Sequence, residues 1–262
     1  MNFNAHTLDG RPVLAWWEGT SAGGHGSGEF VLVGPDYREL GRVRAGIGLA
    51  ADFHEFSITT RGTALLTAYD DGALLDSVVQ EVDVATGKVL FEWRASDHID
   101  ANESYVTRGS GSFDFAHLNA AAVYDNDNLL ISSRHTSTVY KVDRTSGAIA
   151  WRLGGKQSDF TFADGASFAW QHHARRHRND ALTVFDNGAG VAETEAYSRG
   201  LRLRLDEAAG TATLEQQLVH PDRFLPSRDG EHGAARPERR RVRRLGLGSA
   251  LLRVRAGRHT PL

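Results

Sequence analysis

Three histidines, His54, His117 and His172, open successive copies of one repeating segment, at spacings of 63 and 55 residues. Repeated segments fold into equivalent units, so residues at matching positions of neighbouring units are expected to face one another. Neutral imidazoles gathered in this way can bind a metal ion. An imidazole can also attack an electrophilic centre and form a covalent intermediate.

The residues expected beside these histidines follow from strand geometry. The second strand of each unit runs antiparallel to the first, so its end returns beside the start of the first strand. Asn119 lies two residues after His117 and is therefore expected on the same face of the strand. The pairs predicted by antiparallel pairing are Arg134 with His117, Asp186 and Asn187 with His172, and Tyr69 and Asp70 with His54.

Arg134 favours an anion over a metal ion at this site. A permanent guanidinium cation repels a second cation, whereas imidazoles and an arginine fork suit a tetrahedral oxyanion such as sulfate or phosphate. One imidazole could then attack the centre while the other groups neutralise the charge on its oxygens. Of the other histidines, His173 is expected to point away along the strand, and His135 and His177 are expected at the surface.

The elements that must position these residues are short strands. Each unit reads as a strand, a polar turn, an apolar strand such as LLISSR, a strand that ends on Asp before a Gly turn, and a closing strand such as AIAWRL. A partial unit precedes them in PVLAWWEGT, EFVLVGPD and RELGRVRAG. No long amphipathic helix is expected. Four antiparallel strands repeating every 40–60 residues predict the blades of an all-β propeller, and a β-sandwich is the alternative.

The composition excludes several kinds of site and segment. The chain has no cysteine, so it forms neither disulfides nor thiolate metal sites. It contains no apolar run of 18 residues, and its opening MNFNAHTLDG lacks the basic start and apolar core of a signal peptide. The sequence therefore does not indicate the cellular compartment of the protein.

The stretch 226–262 departs from the pattern of the rest. It holds ten arginines, three acidic residues and no aromatic residue. We interpret it as a shifted reading frame, because codons for GEHGAARPERRRVRR can spell GNMELLARNGDVFVG one base later. The alternative is a basic disordered tail. Residues 1–225 then form a partial propeller of about three blades and a fragment, fewer than the four to eight that close a propeller.

Four sequence strings resemble those of the arylsulfotransferase family. They are FHEF, HLNAAAVYDNDNLLISSR, KVDRTSGAIAWRLGG and FAWQHHARRHRNDALTVFDNG, and the likeness covers roughly residues 12–225. The resemblance implies a six-bladed propeller, often extracytoplasmic, that moves a sulfuryl group from a phenolic sulfate to another phenol. It implies a transiently sulfated histidine and no nucleotide sulfate donor, metal or organic cofactor.

Residue by residue, the resemblance assigns His172, in WQHHAR, as the nucleophile. His117 and Arg134 match sulfate-binding residues, His54 matches a further site histidine, and Asn119 fits the binding motif more loosely. The implied partners are an aryl sulfate and a phenol, with no nucleic acid; the oligomeric state is left open. Rival hypotheses are a non-catalytic binding scaffold, an inactive fragment and a propeller oxygenase that holds iron through histidines.

Overall fold

The computed structural model describes residues 3–72, 74–125, 128–177, 180–189 and 196–223. The stretch 226–262, predicted to be frame-shifted or disordered, lies outside these residues. Over the described ranges the chain is almost entirely antiparallel β-structure, as the apolar alternation and turn chemistry predict. The sheets do not close into a barrel within these ranges.

The first sheet has eight strands and contains both the partial unit and the first full unit. The strands are β1 Phe3–Leu8, β2 Arg11–Ala22, β3 His25–Val33, β4 Glu39–Val43, β5 Ala50–Ile58, β6 Thr63–Asp71, β7 Leu75–Asp83 and β8 Val89–Arg94. The partial unit supplies β1–β4 and the full unit supplies β5–β8, and β3 pairs with β5 through Gly28 and Ala51.

Glycines allow the partial unit to approach the first full unit. A Cβ on Gly28 would lie 2.2 Å from the carbonyl oxygen of Glu18 and 2.8 Å from the Trp17 ring, so only glycine fits there. The Trp17 indole packs over this bare backbone and donates a hydrogen bond to the Ala51 carbonyl at 2.9 Å. The backbone N–H of Gly26 donates to Asp52 on β5 at 2.7 Å, which ties the glycine strand to the inner strand of the unit.

The second and third units form separate sheets. A short helix α1, Ala95–His98, and a 3-10 helix, Ala101–Glu103, connect the first unit to the second. The second sheet consists of β9 Leu118–Val123, β10 Asn128–Ser133, β11 Thr138–Asp143 and β12 Ile149–Gly154, and the third of β13 Thr161–Phe162, β14 His172–Arg176, β15 Ala181–Asp186, β16 Arg199–Asp206 and β17 Thr211–Val219. The edge strand β13 of the third sheet pairs in parallel with β17.

Turns and tryptophans complete the repeated unit. Asp83 and Asp143 accept hydrogen bonds from backbone N–H groups three residues on, before glycines in the left-handed conformation. Trp93 donates to the Gly147 carbonyl at 2.9 Å and lies in the apolar core between the first and second units. Trp151 lies in the core between the second and third units. These contacts stack the sheets like propeller blades, with the inner strand β9 in contact with both β5 and β14.

Among the helices of the described residues, none has the length and apolar character needed to cross a membrane.

Candidate functional site

The three repeat histidines meet where the inner strands converge. His54 lies in β5, His117 immediately precedes β9, and His172 is the first residue of β14. The ring centroids of His54 and His117 are 4.9 Å apart, and those of His54 and His172 are 6.2 Å apart. His117 and His172 are buried, with exposures of 2% and 6%.

Backbone irregularity accompanies the site. His117, Trp170 and His173 have φ values of 54°, 56° and 56°, a left-handed conformation that side chains with a Cβ rarely adopt. The register of β14 against β15 also shifts between His172 and Arg175. Such strain is retained where the surrounding structure requires a particular side-chain direction, and it is concentrated at functional sites.

His172 is held at one ring nitrogen. Its Nδ1 lies 3.1 Å from the Trp170 carbonyl oxygen and 2.9 Å from the side-chain amide nitrogen of Asn187. Burial, reinforced by the charges of His54 and Arg134, holds the pKa of His172 well below its usual range. The imidazole is therefore neutral near pH 7 and retains a nitrogen lone pair.

Two of the histidines are paired with carboxylates. His54 Nδ1 lies 2.6 Å from Asp52 Oδ2, and His117 Nδ1 lies 2.5 Å from Asp114 Oδ2. In each pair the carboxylate can accept the Nδ1 proton, which fixes the tautomer and the orientation of the ring. Burial, together with the charges of His54 and Arg134, holds the pKa of His117 well below its usual range.

Arg134 supplies positive charge to the cluster of His54, His117 and His172. Its backbone N–H donates to the His117 carbonyl at 3.0 Å. Its guanidinium carbon lies 5.6 Å from the centre of the Trp170 ring. The Arg134 charge also lowers the pKa of His117 and His172, behind the larger effects of burial and of the charge on His54, so it acts on the whole cluster.

Asn119 is buried and already engaged with the chain. Its Nδ2 donates to the Gln171 carbonyl at 2.7 Å, next to His172. Asn119 Oδ1 is buried and has no hydrogen-bond partner among the described residues. Asn119 therefore helps to position the segment before His172 and can offer only an acceptor oxygen to a ligand.

His135 was expected at the surface, and this expectation is wrong. Its side chain is 12% exposed, and its ring centroid lies 4.7 Å from that of His117. The reason is that pairing continues past the end of β10, since the His135 N–H donates to the Ala116 carbonyl at 3.0 Å. The turn that follows folds the ring back onto His117. His177 is exposed, as expected.

The other neighbours expected from strand pairing divide into two groups. Asn187 lies beside His172, as the antiparallel geometry predicts. Tyr69, which was expected beside His54, lies near His117, with ring centroids 6.1 Å apart. Asp70, in contrast, turns outward and forms an ion pair with Arg94 at 2.7 Å, and Asp186 bonds to Arg199 at 3.0 Å.

Sequence reasoning missed the carboxylates Asp52 and Asp114. A signal was present, because an aspartate stands two residues before His54 and another stands three residues before His117. Because the two aspartate–histidine spacings differ, the sequence does not indicate that both aspartates contact a histidine ring. Irregular backbone at both places makes either spacing compatible with contact between the carboxylate and the ring.

Asp114, His117 and His135 form a group that could hold a metal ion. One ligand atom from each residue lies within 4.8 Å of the others. However, Nδ1 of His135 is 2.6 Å from the Asp114 backbone carbonyl, and Nδ1 of His117 is bound to the Asp114 side chain. The positive charge of Arg134 acts on both rings. These donors and this cation suit an anion better than a metal ion.

Two shallow surface depressions, of about 430 and 400 Å³, lie away from the histidines. One is lined by Asp180 and the segment 204–207, and the other by Arg61, Glu81 and Arg144 among others. Neither is lined by any of the five residues predicted to form the site. The predicted site residues therefore come together at the histidine cluster and not at either depression.

Comparison with known proteins gives a family match. The model of the family described as Arylsulfotransferase (ASST) matches residues 4–234, which include the whole histidine cluster. No curated protein matches the chain.

Solved structures offer only distant likenesses. A protein of unknown function from Bacteroides caccae is 14% identical with a TM-score of 0.43, and the alignment covers 85% of this chain and 84% of that one. Kuenenia stuttgartiensis hydrazine synthase is 11% identical with a TM-score of 0.42, covering 80% and 52%. The β-propeller domain of Myceliophteria thermophila Cps50 (Swd1) is 11% identical with a TM-score of 0.38, covering 83% and 75%. These values are too low to support an argument about fold or function.

Proposed function

The chain belongs to the arylsulfotransferase family, and on this premise we propose that it moves a sulfuryl group from a phenolic sulfate to an acceptor phenol through a sulfated His172. Family membership supports transferase chemistry in general. The observation that carries the finer proposal is the neutral, buried imidazole of His172 beside two further histidines and an arginine.

The nucleophile of this proposal is the Nε2 atom of His172. The Trp170 carbonyl, 3.1 Å from Nδ1, can hold the ring proton there. The Nε2 lone pair is then available to attack sulfur. The low pKa of His172 keeps this lone pair unprotonated at neutral pH, which an attacking imidazole requires.

Arg134 and His117 would bind the transferring group. The sulfate ester is an anion, and charge on its oxygens shifts as the S–O bond breaks. A guanidinium beside those oxygens stabilises the transition state, and more so in a buried site where water is scarce. His54 lies between His117 and His172 and completes this set.

Asn119 would contact the phenol rather than the sulfate. Its amide nitrogen is committed to Gln171, so only its oxygen remains for a ligand. An amide oxygen repels the ionised sulfate oxygens but accepts a hydrogen bond from a phenol O–H. Asn119 would therefore favour the acceptor phenol and the released phenol.

Mass spectrometry after mixing with an aryl sulfate and no acceptor tests the proposal. We expect a sulfuryl adduct on the peptide that carries His172, and we expect added phenol to discharge it. His172→Ala should abolish the adduct, whereas His177→Ala, on an exposed ring, should not. A folded protein that forms no adduct would exclude this mechanism and favour a non-catalytic binding scaffold.

A second candidate function rests on the Asp114, His117 and His135 group, because three potential metal ligands lie together. It would be a metal-dependent enzyme of the oxygenase kind. Metal analysis of the purified protein distinguishes the two, since a stoichiometric metal that is lost in His135→Ala would favour this candidate.

A further inference from the structure

A glycine hairpin of the partial unit reaches the histidine cluster. Strands β2 and β3 are joined by Gly23 and Gly24, whose φ values of 61° and 89° favour glycine. A Cβ on Gly24 would lie 3.4 Å from Cε1 of His117, so the tip of the hairpin rests against that ring. The next residue, His25, has its ring centroid 5.1 Å from that of Tyr69. The hairpin therefore adds a histidine to those that the three full units contribute.

The hydroxyl of Tyr69 lies beside this hairpin. The Tyr69 ring centroid is 6.1 Å from that of His117. Burial and the charges of Asp114 and Asp52 raise the pKa of Tyr69 well above its usual range, and the opposing effect of the Ser77 hydroxyl is smaller. The Tyr69 oxygen is buried, and no described residue lies in hydrogen-bonding geometry to it. The hydroxyl therefore keeps its proton and can donate a hydrogen bond to a ligand.

Two further polar atoms on this side of the cluster are also unpaired. Nδ1 of His25 and Oδ1 of Asp114 are buried and form no hydrogen bond with any described residue. Behind the larger effect of burial, the charge of Asp114 acts on the pKa of Tyr69 and the charge of His25 acts on that of Asp114, so the three groups lie close together. Native structures rarely leave buried polar atoms unpaired, so the three atoms indicate a place where a polar group binds.

The three atoms match one hydroxyl group. The carboxylate oxygen of Asp114 accepts a hydrogen bond, the Tyr69 hydroxyl donates one, and His25 Nδ1 does either according to its tautomer. A hydroxyl donates once and accepts twice, so a single hydroxyl can pair with all three. A methyl group in the same place would leave them buried and unpaired, which lowers affinity.

We propose that His25, Tyr69 and Asp114 select aryl substrates that carry a second hydroxyl group on the ring. The proposal rests on the function proposed above and names the substrate class of the same site. The second hydroxyl binds to these three residues, and the first hydroxyl is the one that gains or loses the sulfuryl group.

The position of Tyr69 separates this role from the transfer step. Tyr69 is in ring contact with His117, whereas His172 is in ring contact with His54, with centroids 6.2 Å apart. The oxygen that carries the sulfuryl group has to lie beside His172, so the group that meets Tyr69 is a substituent elsewhere on the aryl ring. His25 and Tyr69 are thus specificity-determining residues.

Calorimetric titration of the full chain with phenol and with the three benzenediols tests this selection. A metal chelator is present in every titration, so that a metal ion at Asp114 does not contribute. In the wild type we expect at least one benzenediol to bind at least about 10-fold more tightly than phenol, because leaving a buried polar atom unpaired costs about this factor. The measurement needs no sulfuryl transfer, so it is independent of the proposed function.

Tyr69→Phe should bring the two affinities together. It removes one donor, so the preferred benzenediol should lose about 10-fold in affinity, whereas phenol should bind no more weakly, since one unpaired donor is gone. His25→Phe keeps a ring against Tyr69 and should likewise weaken only the benzenediol. Tyr37→Phe, at a residue that is 81% exposed, is the matched control and should keep the wild-type ratio.

The outcomes separate this selection from the proposed function. Equal wild-type affinities for phenol and all three benzenediols would overturn the selection, and so would the absence of binding by all four compounds. A preference that both Tyr69→Phe and His25→Phe retain would overturn it as well. The expected preference in a protein that forms no His172 adduct with an aryl sulfate would support the selection and overturn the sulfuryl transfer.

Discussion

At the scale of single residues, the side chain of Asn187 holds the proposed nucleophile in place. Its amide nitrogen lies 2.9 Å from His172 Nδ1 and 2.5 Å from the Trp170 carbonyl oxygen. With the ring proton on Nδ1, both the ring and the Asn187 amide donate to the Trp170 carbonyl, so the amide fixes the carbonyl that holds the ring. An imidazole that lost this contact could rotate away from the line of attack.

Asn187→Ala is accordingly expected to slow formation of the His172 adduct. Misplacement of a reacting group by about 1 Å costs on the order of 100-fold in rate. The affinity for donor should change little, because Asn187 contacts His172 and Trp170 rather than the residues proposed to bind sulfate. Single-turnover rates at several donor concentrations separate the two quantities, with His173→Gln as the neighbouring control. A raised half-saturation concentration with an unchanged maximal rate would contradict this role.

The three histidines can be predicted from the sequence because they recur at matching points of a repeat, and Arg134 because antiparallel pairing returns the end of its strand beside His117. Their neighbours cannot be read in this way. His135 was expected at the surface, whereas the observed backbone pairing continues to His135. Asp52 and Asp114 stand at unequal spacings from their histidines, and only the local bulges and left-handed residues bring each into contact.

At the scale of elements, one buried carboxylate joins the three inner strands. Glu55 of β5 is 1% exposed, and its Oε2 accepts from the Ala121 N–H of β9 at 3.1 Å and from the Arg175 guanidinium of β14 at 2.7 Å. Each strand belongs to a different unit. Because the repeat histidines lie on or beside the same strands, this contact helps to set their separation.

Removal of one partner of a buried ion pair should lower the free energy of unfolding. Arg175→Ala leaves the Glu55 charge buried without its cation, and we expect the free energy of unfolding to fall by about 3 kcal/mol. Arg202→Ala removes an arginine from a more exposed pair with Glu215 and should cost under about 1 kcal/mol. Chemical denaturation measures both. In the double variant Glu55→Gln with Arg175→Ala, part of the loss should be recovered, and a loss no greater than that of Arg202→Ala would contradict the structural role of the pair.

The sequence predicts the strands of the three units well, because apolar alternation and aspartate–glycine turns are local signals. It does not predict that the partial unit joins the first full unit in one sheet of eight strands. That junction depends on the bare backbone of Gly28 beneath the Trp17 ring, a contact between strands that local patterns do not specify.

At the scale of the whole molecule, buried neutral histidines make stability depend on pH. Burial lowers the pKa of His135 and of His173 to about 3, and lowers those of His117 and His172 well below their usual range. A histidine in the unfolded chain titrates near 6.5. Below that pH the unfolded chain therefore binds protons at these positions, whereas the buried rings of the folded chain stay unprotonated. Stability from these groups is complete above about pH 6.5 and is lost as the pH falls.

Buried carboxyls act in the opposite direction, since burial raises the pKa of Glu55, Asp114 and Asp186. A comparison of variants isolates the histidine effect from theirs. His173 is suited to this comparison because its pKa responds to burial and to Arg175 and His177, outside the proposed catalytic group. In His173→Gln the side chain no longer titrates, while the carboxyls are unchanged.

We therefore expect the stability advantage of the wild type over His173→Gln to shrink by about 1.4 kcal/mol for each pH unit below 6.5. Between pH 6.5 and 5 the change should reach about 2 kcal/mol, because the folded pKa of about 3 lies below this window. Urea denaturation at a series of pH values measures it. His220→Gln, which removes a histidine ring from an exposed position, provides the control. Parallel pH profiles for His173→Gln and the wild type would show that His173 is protonated as readily in the folded protein as in the unfolded chain, and that this part of the third unit admits water.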